Sequence, residues 1–190
     1  NNELMISDLN FGMYKQDLET AKMVAEIQKK YNYPTIIDTP AGKNMPERTI
    51  QVASTMKGWL MGGAIQSTDS DVLKAIKRSN ISIAAYKKLM DFGNKRGRTY
   101  SEIILGLPED TKEKHYESLR FSVDSYVNSI HSHQAMLLPG TEMASNISRK
   151  KFDLKTKFRT SPGNVGKYEI IGEKHSIAEI EEIIVGSNSL

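Results

Sequence analysis

The side chains best suited to chemistry sit where apolar runs stop. Gln66-Ser67 closes one run, and an amide next to a hydroxyl can hydrogen-bond a ribose or a carboxylate. Ser67 or Thr68 could equally cap the helix that follows. Ile104-Leu105-Gly106-Leu107 ends another run. Gly106 has no Cβ, so a ligand or a second backbone can come close, and its apolar neighbours offer a flat wall to a planar ring. Pro108 and Thr111 equally suit a plain strand-to-helix turn. Asp8 and Asn10 share a face if their strand continues, or else Asn10-Phe11-Gly12 makes a turn. His131 and His133, two apart on a strand, also share a face. That spacing can ligate a metal, but sites usually need three or four ligands, so a role facing a lumen or a substrate fits better. Arg78 ends a helical stretch, where a cation suits the helix dipole, and Glu109-Asp110 open one, where anions do. No metal site and no catalytic residue are assigned.

These 190 residues include 38% hydrophobic and 26% charged side chains, ordinary for a globular domain with a real core. The net charge of +3 is too small to argue for nucleic acid, and the basic stretch from Lys150 to Arg159 reads as a solvated face. No run of about 18 apolar residues is present to span a bilayer, and residues 1–8 are no signal peptide, so a cytoplasmic protein is expected. There is no cysteine, which excludes disulfides, thiolate catalysis and iron–sulfur ligation by these residues. The first residue is Asn and the last residues close no element, so a fragment of a longer protein is expected.

Strands and helices must hold these groups in place. Strand-like runs begin near 4, 34, 60, 101 and 128, the last reaching about Leu138. Between them lie helical stretches near 15–30, after Asn44-Met45-Pro46-Glu47, over 69–78, over 82–95, and from a Thr111 cap. In the last of these, Tyr116, Leu119, Val123 and Tyr126 have the spacing of a buried face. Strands separated by helical crossovers pair in parallel, and near-continuous apolar strands are covered on both faces. The class is α/β, with a barrel and an open sheet both allowed by the pattern. In either, the loops after the strands form the site. Residues 149–190 read as a basic, turn-rich extension ending in a short helix over Ser176–Val185, with Ile177, Ile180 and Ile184 on one stripe.

Taken in order, Asp8-Leu9-Asn10-Phe11, Gln66-Ser67 followed by Asp69 and Leu73 to Arg78, Ile104-Leu105-Gly106-Leu107-Pro108 with Thr111, and Leu138-Pro139-Gly140-Thr141 resemble the radical SAM superfamily. The class often found with an N-terminal cobalamin-binding domain is the most similar, and residues 1–148 carry the resemblance. It implies a partial (βα)6 TIM-like barrel of which this chain holds the second to sixth strands. The first strand and its three-cysteine motif for a [4Fe–4S] cluster would lie before Asn1. It also implies S-adenosylmethionine bound to that cluster, and reductive formation of a 5′-deoxyadenosyl radical that takes hydrogen from a substrate. An upstream cobalamin-binding domain in the same polypeptide is expected as well.

By the same resemblance, Asn10 lies near the methionine end of the cofactor, and Gln66 and Ser67 meet the ribose, with Gln66 where many members have Glu. Arg78 pairs with the cofactor carboxylate. Ile104, Leu105, Gly106 and Leu107 pack the adenine, and backbone from Met136 to Leu138 meets its edge. His131, His133 and Gln134 face a small-molecule or peptide substrate. The competing readings are a TIM-type barrel fragment acting on a phosphorylated small molecule, and a binding or scaffold barrel without a cluster.

Overall fold

The computed structural model describes residues 2–40 and 44–189, with backbone alone at Asn164. The chain orders as β1 (Glu3–Met5), α1 (Asp17–Tyr31), β2 (Ile36–Asp38), α2 (Pro46–Thr55), β3 (Met61–Gln66), α3 (Ser70–Ala75) and α4 (Ile83–Asn94). There follow β4 (Thr99–Leu105), α5 (Lys112–Asp124), β5 (Ser129–Gln134), α6 (Asn146–Lys151), β6 (Lys155–Ile170) and β7 (Glu173–Gly186). The alternation is that of a parallel α/β protein. β1 pairs with β2 in parallel, β3, β4 and β5 form a second sheet in that order, and a parallel bridge joins Ile37 to Trp59.

The chain divides into two compact units. The first comprises residues 1–68, 79–103 and 116–132, and the second 69–78, 104–115 and 133–190. The core of the first unit gathers Val24 of α1, Ile37, Val52 of α2, Trp59, Met61, Tyr86 and Met90 of α4. Full burial of each large apolar side chain contributes about 1.5–3 kcal/mol. The core of the second unit is smaller and joins Val72, Leu107, Ala135, Leu137 and Ile184.

Several local expectations need correction. Asn44 does not cap α2; its N-cap is Met45, with no side-chain bond, and Pro46 takes the first turn as expected. Neither Ser67 nor Thr68 caps the helix after β3, because Asp69 accepts from the amides of Asp71 and Val72. That helix stops at Ala75 rather than Arg78: Lys77 turns left-handed, and the Arg78 amide closes back on the Leu73 carbonyl at 2.9 Å. On α5, Tyr116 and Val123 are exposed, as is Tyr126 just past its end, and Ser118 and Ser122 are the buried positions. Their hydroxyls bond Thr68 and Ser101, so hydrogen bonds replace apolar contact along that face. Lastly, the short helix over Ser176–Val185 is absent, as that segment is strand β7, paired antiparallel with β6.

The basic segment from Lys150 to Arg159 is accordingly divided between α6 and β6, and acids answer part of it. Lys155 pairs with Asp153, and Arg159 with Glu181, each at 2.6 Å. The fifth strand ends at Gln134, and its expected continuation to Leu138 instead accepts β7 as a new neighbour. The Ile184 amide donates to the Ala135 carbonyl at 2.9 Å, and the Leu137 amide to the Glu182 carbonyl at 2.9 Å.

Candidate functional site

In the first unit the loop after β1 is an Asx-turn. The Asn10 amide donates to the Asp8 carboxylate at 2.8 Å, and the amides of Gly12 and Tyr14 donate to Asp17, each at 2.9 Å. Asn10 itself is exposed. The end of β3 is less ordinary. Pairing with β4 shifts register between Ala64 and Gln66, and Gln66 then takes φ +58°. The Ser67 amide donates to the Ile65 carbonyl at 2.7 Å, closing a three-residue turn around Gln66. A left-handed conformation costs a non-glycine residue about 1–3 kcal/mol and is kept only where its surroundings enforce it.

Those surroundings are visible. Ser67 is buried, its carbonyl accepts from the Asn80 amide group at 2.6 Å, and the Thr68 amide donates to Ser118 Oγ at 2.9 Å. Asn80 Oδ1 is buried and has no hydrogen-bond partner among the described residues. An orphaned buried acceptor costs about 1–3 kcal/mol. Sequence reading singled out neither Asn80 nor Ser118; one lies in a loop, and the other is a small polar residue on a helix.

On β4, Tyr100 stacks on His131 of β5, ring centroids 5.3 Å apart and planes 16° from parallel. A Cβ at Gly62 would collide with the Tyr100 ring, so the glycine makes room for it. Burial pushes the Tyr100 phenol up from its ordinary pKa, and the carboxylates of Glu102 and Asp38 push it the same way. Tyr100 and Glu102 were not among the expected site residues, although strand alternation places them on one side of β4.

The second unit carries the other expected positions. Leu107 belongs to its core, Ile104 packs on that core, and Leu105 is 37% exposed. Gly106 has φ +84°, and a Cβ there would lie 3.0 Å from Gln134 Nε2 and 3.2 Å from the Ile184 carbonyl. The close approach seen at this glycine is therefore made by the chain itself. Gln134 Nε2 donates to that same Ile184 carbonyl. The Ala135 amide bonds the Leu105 carbonyl at 2.8 Å, joining the two predicted strand ends directly. Met136 and Leu138 are exposed and line a groove of about 320 Å³ with Phe158, Ile180 and Glu182. His133 and Arg78 are exposed.

Beside this loop Asp110 is 1% exposed, with His115 Nδ1 3.6 Å from its Oδ2. Burial raises its pKa, against the opposing charges of His115 and Lys114. Lys114 in turn reaches Asp69 at 3.1 Å and the Glu109 carbonyl at 2.9 Å. Thr111 Oγ1 accepts from the Lys114 amide at 3.3 Å, as a cap should. Among the described residues, no group of three or more His, Cys, Asp or Glu has metal-binding geometry.

No family model matches the chain. Over 111 residues it is 38% identical to the 2-(S-pantetheinyl)-carbapenam-3-carboxylate methyltransferase of Streptantibioticus cattleyicolor, covering 56% of this chain and 16% of that protein. Over 114 residues it is 39% identical to the cobalamin-dependent radical SAM methyltransferase TokK of Streptomyces tokunonensis, covering 57% of this chain and 17% of that protein. The chain thus matches about a sixth of the length of these relatives. Its fold resembles that of the radical S-adenosylmethionine methyltransferase TsrM of Kitasatospora setae, solved with cobalamin and a [4Fe–4S] cluster. The TM-score is 0.58 at 12% identity, over 87% of this chain and 30% of that one. Through TokK, named as a cobalamin-dependent radical SAM methyltransferase, the chain is related to the radical SAM superfamily.

Proposed function

We propose that this chain is the S-adenosylmethionine-binding portion of a cobalamin-dependent radical SAM enzyme, built on a partial (βα)6 barrel. The observation that carries the reading is the identity of 38–39% to two methyltransferases, one of them named as cobalamin-dependent and radical SAM. These residues contain no cysteine, so the cluster's thiolates come from elsewhere in the polypeptide, as does the cobalamin-binding domain. With the cluster bound, S-adenosylmethionine supplies 5′-deoxyadenosyl radical chemistry.

The residues of this chain bind and orient. In the first unit Gln66 offers the ribose both a donor and an acceptor from a turn of fixed shape, and Asn10 attends the methionine end. In the second unit Ile104 to Leu107 form the apolar wall for adenine, with Met136 and Leu138 at its edge and Arg78 for the carboxylate. The strained turn at Gln66 supports its role, and the groove beside Met136 and Leu138, which lies at the lower end of ligand-pocket sizes, supports theirs. His131, seated on Tyr100, and His133 are assigned to the substrate, a small molecule or peptide. Gln134 is assigned with them, although its amide donor is engaged by Ile184.

Anaerobic reconstitution of the full-length protein with iron and sulfide tests the reading. Release of 5′-deoxyadenosine or S-adenosylhomocysteine from S-adenosylmethionine under reducing conditions is expected. A protein that assembles no cluster and forms neither product refutes it.

A further inference from the structure

We infer that Asn80 is a positioning residue for the cofactor: it holds the end of β3 in the shape that presents Gln66. The inference rests on the radical SAM reading above and adds a residue to it.

Three hydrogen bonds define this strand end. The Ser67 amide turns back to the Ile65 carbonyl, Asn80 Nδ2 takes the Ser67 carbonyl, and Ser118 Oγ takes the Thr68 amide. The amide orientation of Asn80 follows from its partner, because only the NH2 group can donate to the Ser67 carbonyl at 2.6 Å. Its oxygen is then left buried without a hydrogen-bond partner among the described residues. Two unfavourable features therefore meet in one turn, a left-handed glutamine and an orphaned acceptor. A strand-to-helix connection needs neither. Glycine at 66 would enter the same turn without steric cost, and an apolar residue at 80 would leave no unmatched oxygen. Local rules broken together, and enforced by neighbours, mark a shape retained for use. The register shift just before Gln66 fits the same pattern, since bulges beside functional sites re-aim a side chain. Asn80 touches the turn, not the ligand, so its influence must pass through Gln66.

The test is a double-mutant cycle on the full-length, anaerobically reconstituted protein. Dissociation constants for S-adenosylmethionine are measured by equilibrium dialysis, alongside melting temperatures. N80A is expected to weaken binding about tenfold while the protein stays folded. N80D keeps the volume but turns the donor into an acceptor facing a carbonyl, and should do the same. Q66A should also weaken binding, and Q66A/N80A should be no weaker than Q66A alone. A folded N80A or N80D that binds as the wild type does overturns the inference, and so do losses that simply multiply in the double variant. Failure of both Asn80 variants to fold overturns it too, by making the residue a folding element. Wild-type protein that binds no S-adenosylmethionine overturns the radical SAM reading itself, and the inference with it.

Discussion

Arg149 at the end of α6 grips Glu182 of β7 through both guanidinium NH2 groups, each 2.6 Å from its own carboxylate oxygen. Thr156 of β6 adds a third bond at 2.6 Å. The Glu182 backbone carbonyl meanwhile accepts from Leu137, so one residue ties the hairpin to the helix and to the segment after β5.

This grip predicts an acid-sensitive second unit. The hydrogen bonds from Arg149 and Thr156 pull the Glu182 pKa from 4.5 down to about 2. A folded pKa below the unfolded one gives stability that is complete above the unfolded value and is lost as pH falls through the folded one. Unfolding followed from pH 7 to pH 2 should therefore show stability falling from about pH 4.5 downward. E182Q should be less stable at pH 7 and should show less of that fall. An unchanged acid limb in E182Q contradicts the assignment.

Asp110 has the opposite sign. Its carboxyl is buried and its pKa raised, so the folded state holds the proton more tightly than the unfolded state. Stability is then lost as pH climbs from the unfolded aspartate value of about 4 through the folded one, at no more than about 1.4 kcal/mol for each tenfold drop in proton concentration. His115, Lys114 and Asp69 face this carboxyl, and the first two limit the loss. D110N should unfold with a flatter profile above pH 4 and be at least as stable as wild type at pH 7. A marked loss of stability at pH 7 would mean that the pairing with His115 outweighs the burial.

Gly106 is constrained twice, by φ +84° and by Gln134 and the Ile184 carbonyl where a Cβ would stand. G106A should cost about 1–3 kcal/mol in urea denaturation, with β7 displaced from the segment after β5. Hydrogen exchange at the amides of Leu137 and Ile184 reports that displacement. Unaltered stability would show that the loop relaxes freely.

The parallel α/β alternation was legible because apolar runs such as Ile103-Ile104-Leu105 end at glycine, proline or polar residues, and β4 ends where that run does. β7 was not. Ile177, Ile180 and Ile184 keep helical spacing, yet only Ile184 is buried, and the pairing with β6 decides the structure. The hairpin turns at Ile171 and Gly172, both at positive φ; isoleucine is a poor signal there, and it hid the turn. Ser118 and Ser122 escaped notice because a helix face built from hydroxyls has no hydrophobic period. The Gln66-Ser67 strand end was legible as a site from its residue types, whereas its strain and its brace at Asn80 exist only in three dimensions.

In the proposed function this chain brings S-adenosylmethionine to an iron–sulfur cluster. Electron paramagnetic resonance of the reduced, reconstituted full-length protein tests it most directly. The predicted result is a [4Fe–4S]+ signal whose g values shift when S-adenosylmethionine is added, because the cofactor binds the cluster. A reduced cluster whose spectrum is indifferent to S-adenosylmethionine, or a polypeptide that holds no cluster, contradicts it.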